Sequence, residues 1–245
     1  MPILLGRVDT GSLLTRIAQQ PKEAGLLLDV DGTLSPIVAR PEAASVPEPT
    51  RDVLRALRDR YALVACVSGR TRDDAARLVG IDGIVYLGEH GLDTDGRADE
   101  WAPAIAAFAD SVAWPAERKR VTVSFHYRTA DDEDAAVAEL HRVAEQAIAA
   151  GLRPRWGRKV LEVRPPVDAD KGTAVHDLLR KRGLQRALYA GDDSTDLDAF
   201  RGLDGLDVAV RVAVVSDEGP SELGTAADVV VGGTEALVEL LRRLL

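Results

Sequence analysis

The stretch LLLDVDGTLSPI, residues 26–37, decides the fold of this 245-residue chain. Its apolar start predicts a β-strand that is buried on both faces. Asp29 and Asp31 close this strand, and strand alternation points both side chains to the same side. Two carboxylates so close together repel each other unless a positive charge lies beside them, and Mg²⁺ prefers carboxylate and phosphate oxygens. A local turn would explain one aspartate, but not two followed by Gly-Thr, whose Thr33 offers a hydroxyl and an amide to a phosphate.

Around this strand, short apolar runs alternate with helical patterns, which is typical of a parallel sheet with helices on both faces. The pattern changes after Gly91, where Asp95-Gly96 indicates a hairpin and the following sequence favours helices with antiparallel strands. The parallel pattern resumes at Lys171. We therefore predict an α/β fold with a Rossmann-like parallel sheet core, residues 1–91 and 168–245, and an inserted smaller α+β cap domain, residues 92–167.

The composition limits the partners that this chain can have. The formal net charge is −9 and the isoelectric point is about 5.0, which argues against a nucleic-acid-binding surface. Cys66 is the only cysteine, so an intrachain disulfide is impossible, and its apolar surroundings predict a buried thiol. The amino-terminal residues lack the pattern of a signal peptide, and no apolar run reaches the ~18 residues of a membrane span. We expect a cytoplasmic monomer that binds neither nucleic acid nor a membrane.

Three further segments place polar side chains after predicted strands or at the start of a helix. Ser68, Gly69 and Arg70 follow the second apolar strand, and GDDSTD, residues 191–196, follows the strand ALYA. Because the carboxyl ends of parallel strands meet at one edge of a sheet, we expect these groups to lie near the two aspartates of the first strand. Taken alone, Ser-Gly is ordinary turn chemistry, Lys171 fits an exposed helix start, and the acids fit a solvated loop.

The segment DVDGTLSP resembles the first motif of the haloacid-dehalogenase-like hydrolases, and the other three segments are similar to the later motifs, in order. The resemblance implies that Asp29 is a nucleophile that forms an aspartyl phosphate. It implies that Asp31 protonates the leaving group and later activates water. Ser68 would hold a phosphoryl oxygen, and Lys171 would offset the negative charge on the nucleophile. The implied Mg²⁺ ligands are Asp29, Asp31 and Asp192, supported by Asp193 and Asp196.

A closer resemblance, over about Gly25 to Leu245, is to the trehalose-6-phosphate phosphatases, whose cap lies between the second and third motifs. The segments that carry it are GEHG (88–91), ERK (117–119) followed by SFHYR (124–128), and GRKVLEVRP (157–165). It implies Mg²⁺-dependent hydrolysis of trehalose 6-phosphate to trehalose and phosphate. It also implies that three cap residues face the sugar: Glu117, Lys119 and Glu162.

Further candidate substrate-binding residues are Thr33, Gly69, Arg70, His90 and Arg128. On the residues alone, the segment 117–119 fits a solvated charged turn equally well, and Arg70 fits an exposed arginine after a turn. We interpret His126 as a structural residue. Two positions depart from the family pattern: Leu197 replaces a glutamate that is usual there, and Arg120 replaces a small residue.

Other functions compete with this interpretation. The nearest alternative is the same chemistry on another sugar phosphate, such as sucrose phosphate or a glycosyl phosphoglycerate. A phosphomutase also forms an aspartyl phosphate, but it must exclude water. A receiver-like signalling module also places acids and a lysine around Mg²⁺, but such modules are much shorter and need no cap, so this alternative ranks last.

Overall fold

The computed structural model describes residues 10–38, 43–157, 159–217 and 219–245. The chain divides into two compact units. The first, called the core unit, combines Met1–Gly91 with Asp170–Leu245, and the second, called the inserted unit, comprises Leu92–Ala169. Within the described ranges, no helix combines the length and the apolar character needed to cross a bilayer.

The first part of the core unit contains α1 (Thr10–Ala18), β1 (Ala24–Leu28), α2 (Glu48–Arg60), β2 (Leu63–Val67), α3 (Arg72–Val79) and β3 (Val85–Leu87). The inserted unit contains α4 (Gly96–Asp99), α5 (Ala102–Ser111), β4 (Glu117–Arg118), β5 (Val123–His126), α6 (Glu133–Ala149), β6 (Arg153–Gly157) and β7 (Val160–Arg164). The second part of the core unit contains α7 (Lys171–Arg182), β8 (Arg186–Gly191), α8 (Thr195–Arg201), β9 (Val208–Val215), α9 (Ser221–Ala226), β10 (Val229–Gly232) and α10 (Gly233–Arg242).

The core unit is built on a six-stranded parallel sheet with the order β10-β9-β8-β1-β2-β3. In the central strand β1, Leu27 pairs with Ala65 of β2 and with Tyr189 of β8. Leu26 and Leu28 belong to an apolar cluster that includes side chains of α1, α2 and α10. Leu27 belongs to a second cluster, which includes side chains of α7 and α8. The first strand is therefore buried on both faces, as its sequence predicted.

The order of the strands reverses beside β1. The chain passes from β1 to β2 and β3 on one side, and β8, β9 and β10 lie on the other side. In open α/β sheets, ligands bind outside the carboxyl ends of the strands at such a switch point. The core unit therefore places the ends of β1, β2 and β8 where a site is expected.

The inserted unit contains a four-stranded antiparallel sheet with the order β4-β5-β7-β6. One face of this sheet packs on α5 and α6, with Phe125 and Leu161 against Leu140. The ring of Phe108 meets that of Phe125 edge to face, with 6.4 Å between centroids. The parallel core and the separate antiparallel insertion confirm the predicted fold class.

The prediction of a hairpin at Asp95-Gly96 is wrong. Asp95 precedes the short helix α4, and its Oδ1 accepts the backbone N–H of Arg97 at 3.0 Å. An aspartate in this position satisfies an N–H that has no partner inside the helix. Capping therefore prevails over the turn preference of Asp-Gly at this point.

Candidate active site

The candidate active site lies where three strands of the core sheet end. Asp29 follows β1, Ser68 follows β2, and Asp192 follows β8. Because these strands are parallel neighbours, their carboxyl ends bring the three side chains to one edge of the sheet. A fourth segment contributes Lys171, the first residue of α7. Four separate parts of the chain therefore meet at this edge.

Lys171 is a buried cation between two carboxylates. Its Nζ donates to Oδ1 of Asp29 at 2.6 Å and to Oδ1 of Asp196 at 2.7 Å, and only 2% of the lysine is exposed. Burial alone would lower the pKa of Lys171, but the two carboxylates raise it, so the ammonium stays charged. The lysine thus offsets negative charge on Asp29.

The start of α7 is held by a capping box and a close backbone approach. The Asp170 side chain accepts the N–H of Thr173 at 2.8 Å, and the Asp170 N–H donates to Thr173 Oγ1 at 2.9 Å. A Cβ on Gly172 would lie 2.3 Å from the carbonyl oxygen of Asp198, so this approach requires glycine. These contacts fix the position of Lys171.

Asp196 connects the end of β8 to the lysine. Its Oδ1 accepts from Lys171 Nζ and, at 2.8 Å, from the Tyr189 hydroxyl. Its Oδ2 accepts the backbone N–H groups of Asp192 and Asp193 at 2.8 and 2.9 Å. Two bonds to each oxygen use the accepting capacity of the carboxylate, which is fully buried. Asp196 therefore organises the loop after β8 and the lysine together.

The acids at this edge fit a divalent cation. One carboxylate oxygen each of Asp29, Asp192 and Asp196 lies within 4.8 Å of the other two. The oxygens of Asp196 already accept four hydrogen bonds, so Asp29 and Asp192 are the candidates for direct ligands. Carboxylate oxygens suit a hard cation such as Mg²⁺.

Burial raises the pKa of Asp29 to about 7, although the neighbouring Lys171 ammonium lowers it. A cation beside Asp29 would favour the ionised form.

The turn after β1 leaves room for the loop after β8. Gly32 has a φ of 85°, in the left-handed region that favours glycine. A Cβ there would lie 2.0 Å from Oδ2 of Asp192. The neighbouring Thr33 is fully buried, and its Oγ1 donates to Oδ1 of Asp192 at 3.3 Å. Thr33 thus contacts a candidate metal ligand.

The carboxylate of Asp31, a predicted metal ligand, contacts the loop after β2. Among the described residues, it does not belong to the group of acids that fits a metal. Instead, its two oxygens accept from Nε and Nη2 of Arg70, both at 2.7 Å. The planar guanidinium matches a carboxylate with two parallel bonds, and such a fork holds Asp31 toward the loop after β2.

The loop after β2 packs against the segment after β3. Ser68 is buried, and its Oγ accepts the backbone N–H of Arg70 at 3.1 Å. A Cβ on Gly69 would lie 2.6 Å from two atoms of the His90 ring, so the histidine lies directly on this loop. Glu89 and His90 have φ values of 48° and 55°, which are uncommon for residues with a Cβ. The structure therefore places His90 beside Gly69.

In the inserted unit, polar residues line the sheet face opposite to the helices. Glu117, Ser124 and Glu162 lie opposite one another on β4, β5 and β7 and share one face. Lys119 Nζ donates to Oγ of Ser124 at 3.3 Å and to Oε1 of Glu162 at 3.4 Å. His126 Nε2 lies 2.6 Å from Oε2 of Glu117. The three predicted sugar contacts thus share a polar surface, to which Ser124 and His126 also contribute.

The remaining predicted positions have separate surroundings. Arg128 follows β5 and is half-buried. Arg120, which replaces a small residue of the family pattern, forms an ion pair with Asp99. Leu197 packs against the apolar cluster beneath α7 and α8, so an apolar contact stands where a glutamate is usual. Cys66 is buried, as expected.

The chain shares its fold with a haloacid dehalogenase-like hydrolase from Bacteroides thetaiotaomicron, with a TM-score of 0.64, 15% identity, and coverage of 91% of this chain and 100% of that chain. A match to a family model assigns the chain to a narrower group than the fold does. The trehalose-phosphatase family model matches residues 27–114 and 115–230, which is most of the chain. The chain belongs to the trehalose-phosphatase family.

Relatives and solved structures are consistent with this membership. The chain is 34% identical to the probable trehalose-phosphate phosphatase D of Arabidopsis thaliana, over 76% of this chain and 58% of that protein. It is 31% identical to the trehalose 6-phosphate phosphatase RA3 of Zea mays, over 93% of this chain and 71% of that protein. The C-terminal domain of Candida albicans trehalose-6-phosphate phosphatase shares the fold, with a TM-score of 0.77, 22% identity, and coverage of 97% and 96% of the two chains. The match to the Arabidopsis protein thus spans little more than half of its length.

Proposed function

We propose that this protein is a Mg²⁺-dependent phosphatase that hydrolyses trehalose 6-phosphate to trehalose and phosphate through an aspartyl phosphate. The observation that supports it best is the buried contact of Lys171 with Asp29, beside Asp192 at the switch point of the sheet. Membership of the trehalose-phosphatase family supports the substrate. The expectations of a monomer and of a cytoplasmic location stay predictions.

The proposed first step transfers the phosphoryl group to the protein. A carboxylate oxygen of Asp29 attacks phosphorus, and the bond from phosphorus to the sugar oxygen breaks. Mg²⁺, held by Asp29 and Asp192, would supply positive charge beside the transferring oxygens. Lys171 remains beside Asp29 and offsets the charge that gathers on the phosphoryl oxygens. Ser68 donates a hydrogen bond to one of these oxygens.

Asp31 carries the protons in this proposal. In the first step it donates a proton to the departing sugar oxygen, and in the second it accepts one from the water that cleaves the aspartyl phosphate. Asp31 must leave its paired contact with Arg70 to do so, because both of its oxygens are engaged there. A phosphate group is a second bidentate partner for a guanidinium, so Arg70 can exchange Asp31 for substrate.

The sugar is assigned to the polar face of the inserted unit. Glu117, Lys119 and Glu162 line this face, and carboxylates and an ammonium together can accept from and donate to sugar hydroxyls. Thr33, Gly69, Arg70, His90 and Arg128 complete the proposed substrate-binding set.

Phosphate release from trehalose 6-phosphate tests the proposal. We expect release with Mg²⁺, loss of release with EDTA, and recovery when Mg²⁺ is restored. Asp29→Asn should abolish turnover while the circular dichroism spectrum is retained. Faster phosphate release from sucrose phosphate or a glycosyl phosphoglycerate would make that compound the assigned substrate. Formation of an isomeric sugar phosphate would identify a phosphomutase instead.

A further inference from the structure

We propose that Tyr189 is a positioning residue for phosphoryl transfer, because its hydroxyl holds Asp196 and thereby keeps Lys171 shared between Asp196 and Asp29. The inference rests on the proposed function, since it assigns Tyr189 a part in that reaction. Tyr189 lies in the apolar strand β8, where a tyrosine would ordinarily be interpreted as a core residue. Its hydroxyl gives it a second connection, to the candidate active site.

The position of the hydroxyl is set by the sheet and by packing. Tyr189 pairs with Leu27 of β1 and is fully buried. Its ring meets Phe200 of α8 edge to face, with 6.1 Å between centroids and 83° between ring planes. The hydroxyl then donates to Oδ1 of Asp196 at 2.8 Å. A fully buried ring that packs against Phe200 leaves the hydroxyl little freedom to move.

The same oxygen of Asp196 also accepts from Lys171. The Lys171 Nζ lies 2.7 Å from this oxygen and 2.6 Å from Oδ1 of Asp29, so the ammonium is divided almost equally between two carboxylates. The Tyr189 hydroxyl supplies the second hydrogen bond to Oδ1 of Asp196. Without it, that oxygen would be satisfied by the lysine alone, and the ammonium would be drawn toward Asp196 and away from Asp29.

The phenol remains a donor under all working conditions. Burial raises the pKa of Tyr189 well above its usual value, and the carboxylates of Asp196 and Asp29 raise it further. The hydroxyl therefore stays neutral and cannot accept a proton from Lys171. Its effect on the reaction passes through Asp196.

The test compares Tyr189→Phe with Tyr61→Phe. Tyr61 is a matched control, because it is also buried and its hydroxyl donates one bond, to the Leu244 carbonyl oxygen at 3.0 Å. Both changes keep an aromatic ring and remove one buried hydroxyl. With trehalose 6-phosphate and saturating Mg²⁺, we expect kcat of Tyr189→Phe to fall about 10- to 100-fold, with KM within about twofold of the wild type. Tyr61→Phe should keep the wild-type kcat. Equal kcat in the two variants, or a change confined to KM, would overturn the proposal.

A second measurement needs neither substrate nor metal. The side-chain ammonium of Lys171, identified by its absence in Lys171→Met, can be followed by ¹⁵N NMR in the metal-free protein. We expect its resonance to shift in Tyr189→Phe and to stay unchanged in Tyr61→Phe. In the wild type, we also expect an NOE between the Tyr189 hydroxyl proton and the Lys171 ammonium, because both groups donate to one oxygen. Absence of this NOE would overturn the inference even if the Tyr189→Phe variant did not fold. If the wild type released no phosphate from trehalose 6-phosphate, the proposed function would fail, while these two signals would still test the position of the lysine.

An additivity test shows whether Tyr189 acts through Asp196. In an Asp196→Asn background, Tyr189→Phe should cause little further loss of kcat, because the oxygen that both donors share has lost its charge. A full additional loss in the double variant would show that Tyr189 acts by another route and would contradict the inference.

Discussion

Replacing Lys171 with methionine removes a buried charge and keeps an unbranched side chain that is one atom shorter. The ammonium makes two short hydrogen bonds, of 2.6 Å to Asp29 and 2.7 Å to Asp196, with 2% of the residue exposed. Methionine fills similar space but donates nothing, so two buried carboxylates lose their shared cation. The change therefore separates the charge of the lysine from its volume.

The size of the effect follows from the burial of both partners. Removing one member of a buried ion pair leaves an uncompensated charge and costs about 3–5 kcal/mol of stability. Asp29, whose pKa burial already raises, will take up a proton to relieve part of this cost, so we expect the metal-free variant to lose most stability at high pH. Losing a donor that stabilises the transferring group costs about 10²–10³-fold in kcat.

Lys159→Met is the matched control for this prediction. Lys159 also forms an ion pair, with Glu133, but the two side chains are 32% and 51% exposed. An exposed pair contributes only about 0–1 kcal/mol, so this variant should unfold and turn over like the wild type. Urea unfolding of the metal-free proteins and phosphate release with Mg²⁺ provide the two readouts. If Lys171→Met matched Lys159→Met in both, the lysine would be a solvated surface group, and the site built around it would be refuted.

Two further predictions concern pH and the sugar. Burial raises the pKa of Asp29 from 3.8 to about 7 in the folded state, so the folded protein holds this proton more tightly than the unfolded chain does. The metal-free protein should therefore lose stability as the pH rises from about 3.8 to about 7. Asp29→Asn should lack this loss; identical pH slopes in urea melts of the two proteins would contradict the assignment. Glu117→Ala should raise KM for trehalose 6-phosphate about tenfold, because a hydrogen bond to a charged group is lost. Phosphate release from p-nitrophenyl phosphate, which has no sugar, should stay unchanged. An equal effect on both substrates would show that Glu117 does not contact the sugar.

The sequence was sufficient to predict the central architecture because each clue was local. An apolar run before Asp29 identified a strand with both faces buried, and the two apolar clusters on either side of β1 confirm this. The acids after β8 followed from the rule about strand ends, whereas the role of Lys171 at the start of α7 was implied only by the resemblance to the third family motif. The hairpin at Asp95-Gly96 failed because a turn signal and a helix cap use the same residue types, and the choice depends on what flanks them.

The contacts between distant residues could not be predicted in the same way. Arg70 and Asp31 lie 39 residues apart, and their pairing depends on the shape of two loops. Tyr189 carries a weak signal, a hydroxyl within the apolar run 187–190, because a buried phenol usually finds a partner. That signal indicates a hydrogen bond but does not identify Asp196 as the acceptor. The identity of the acceptor depends on how the loop after β8 folds back over the strand.

The balance of buried charge explains why these contacts indicate a binding site and not a structural network. Among the described residues, Asp29, Asp192 and Asp196 form a group that could hold one metal ion, and the Lys171 ammonium contacts two of them, Asp29 and Asp196. A network that only stabilised the fold would neutralise its own charges, since each unbalanced buried charge opposes folding. With all three acids ionised, the cluster keeps an excess of two negative charges, which one divalent cation would cancel. Burial raises the pKa of Asp29 to about 7, and the neighbouring carboxylate of Asp196 adds to this rise. A divalent cation beside these acids would offset this charge, and a phosphoryl group is the ligand that such a cation and Lys171 would together attract.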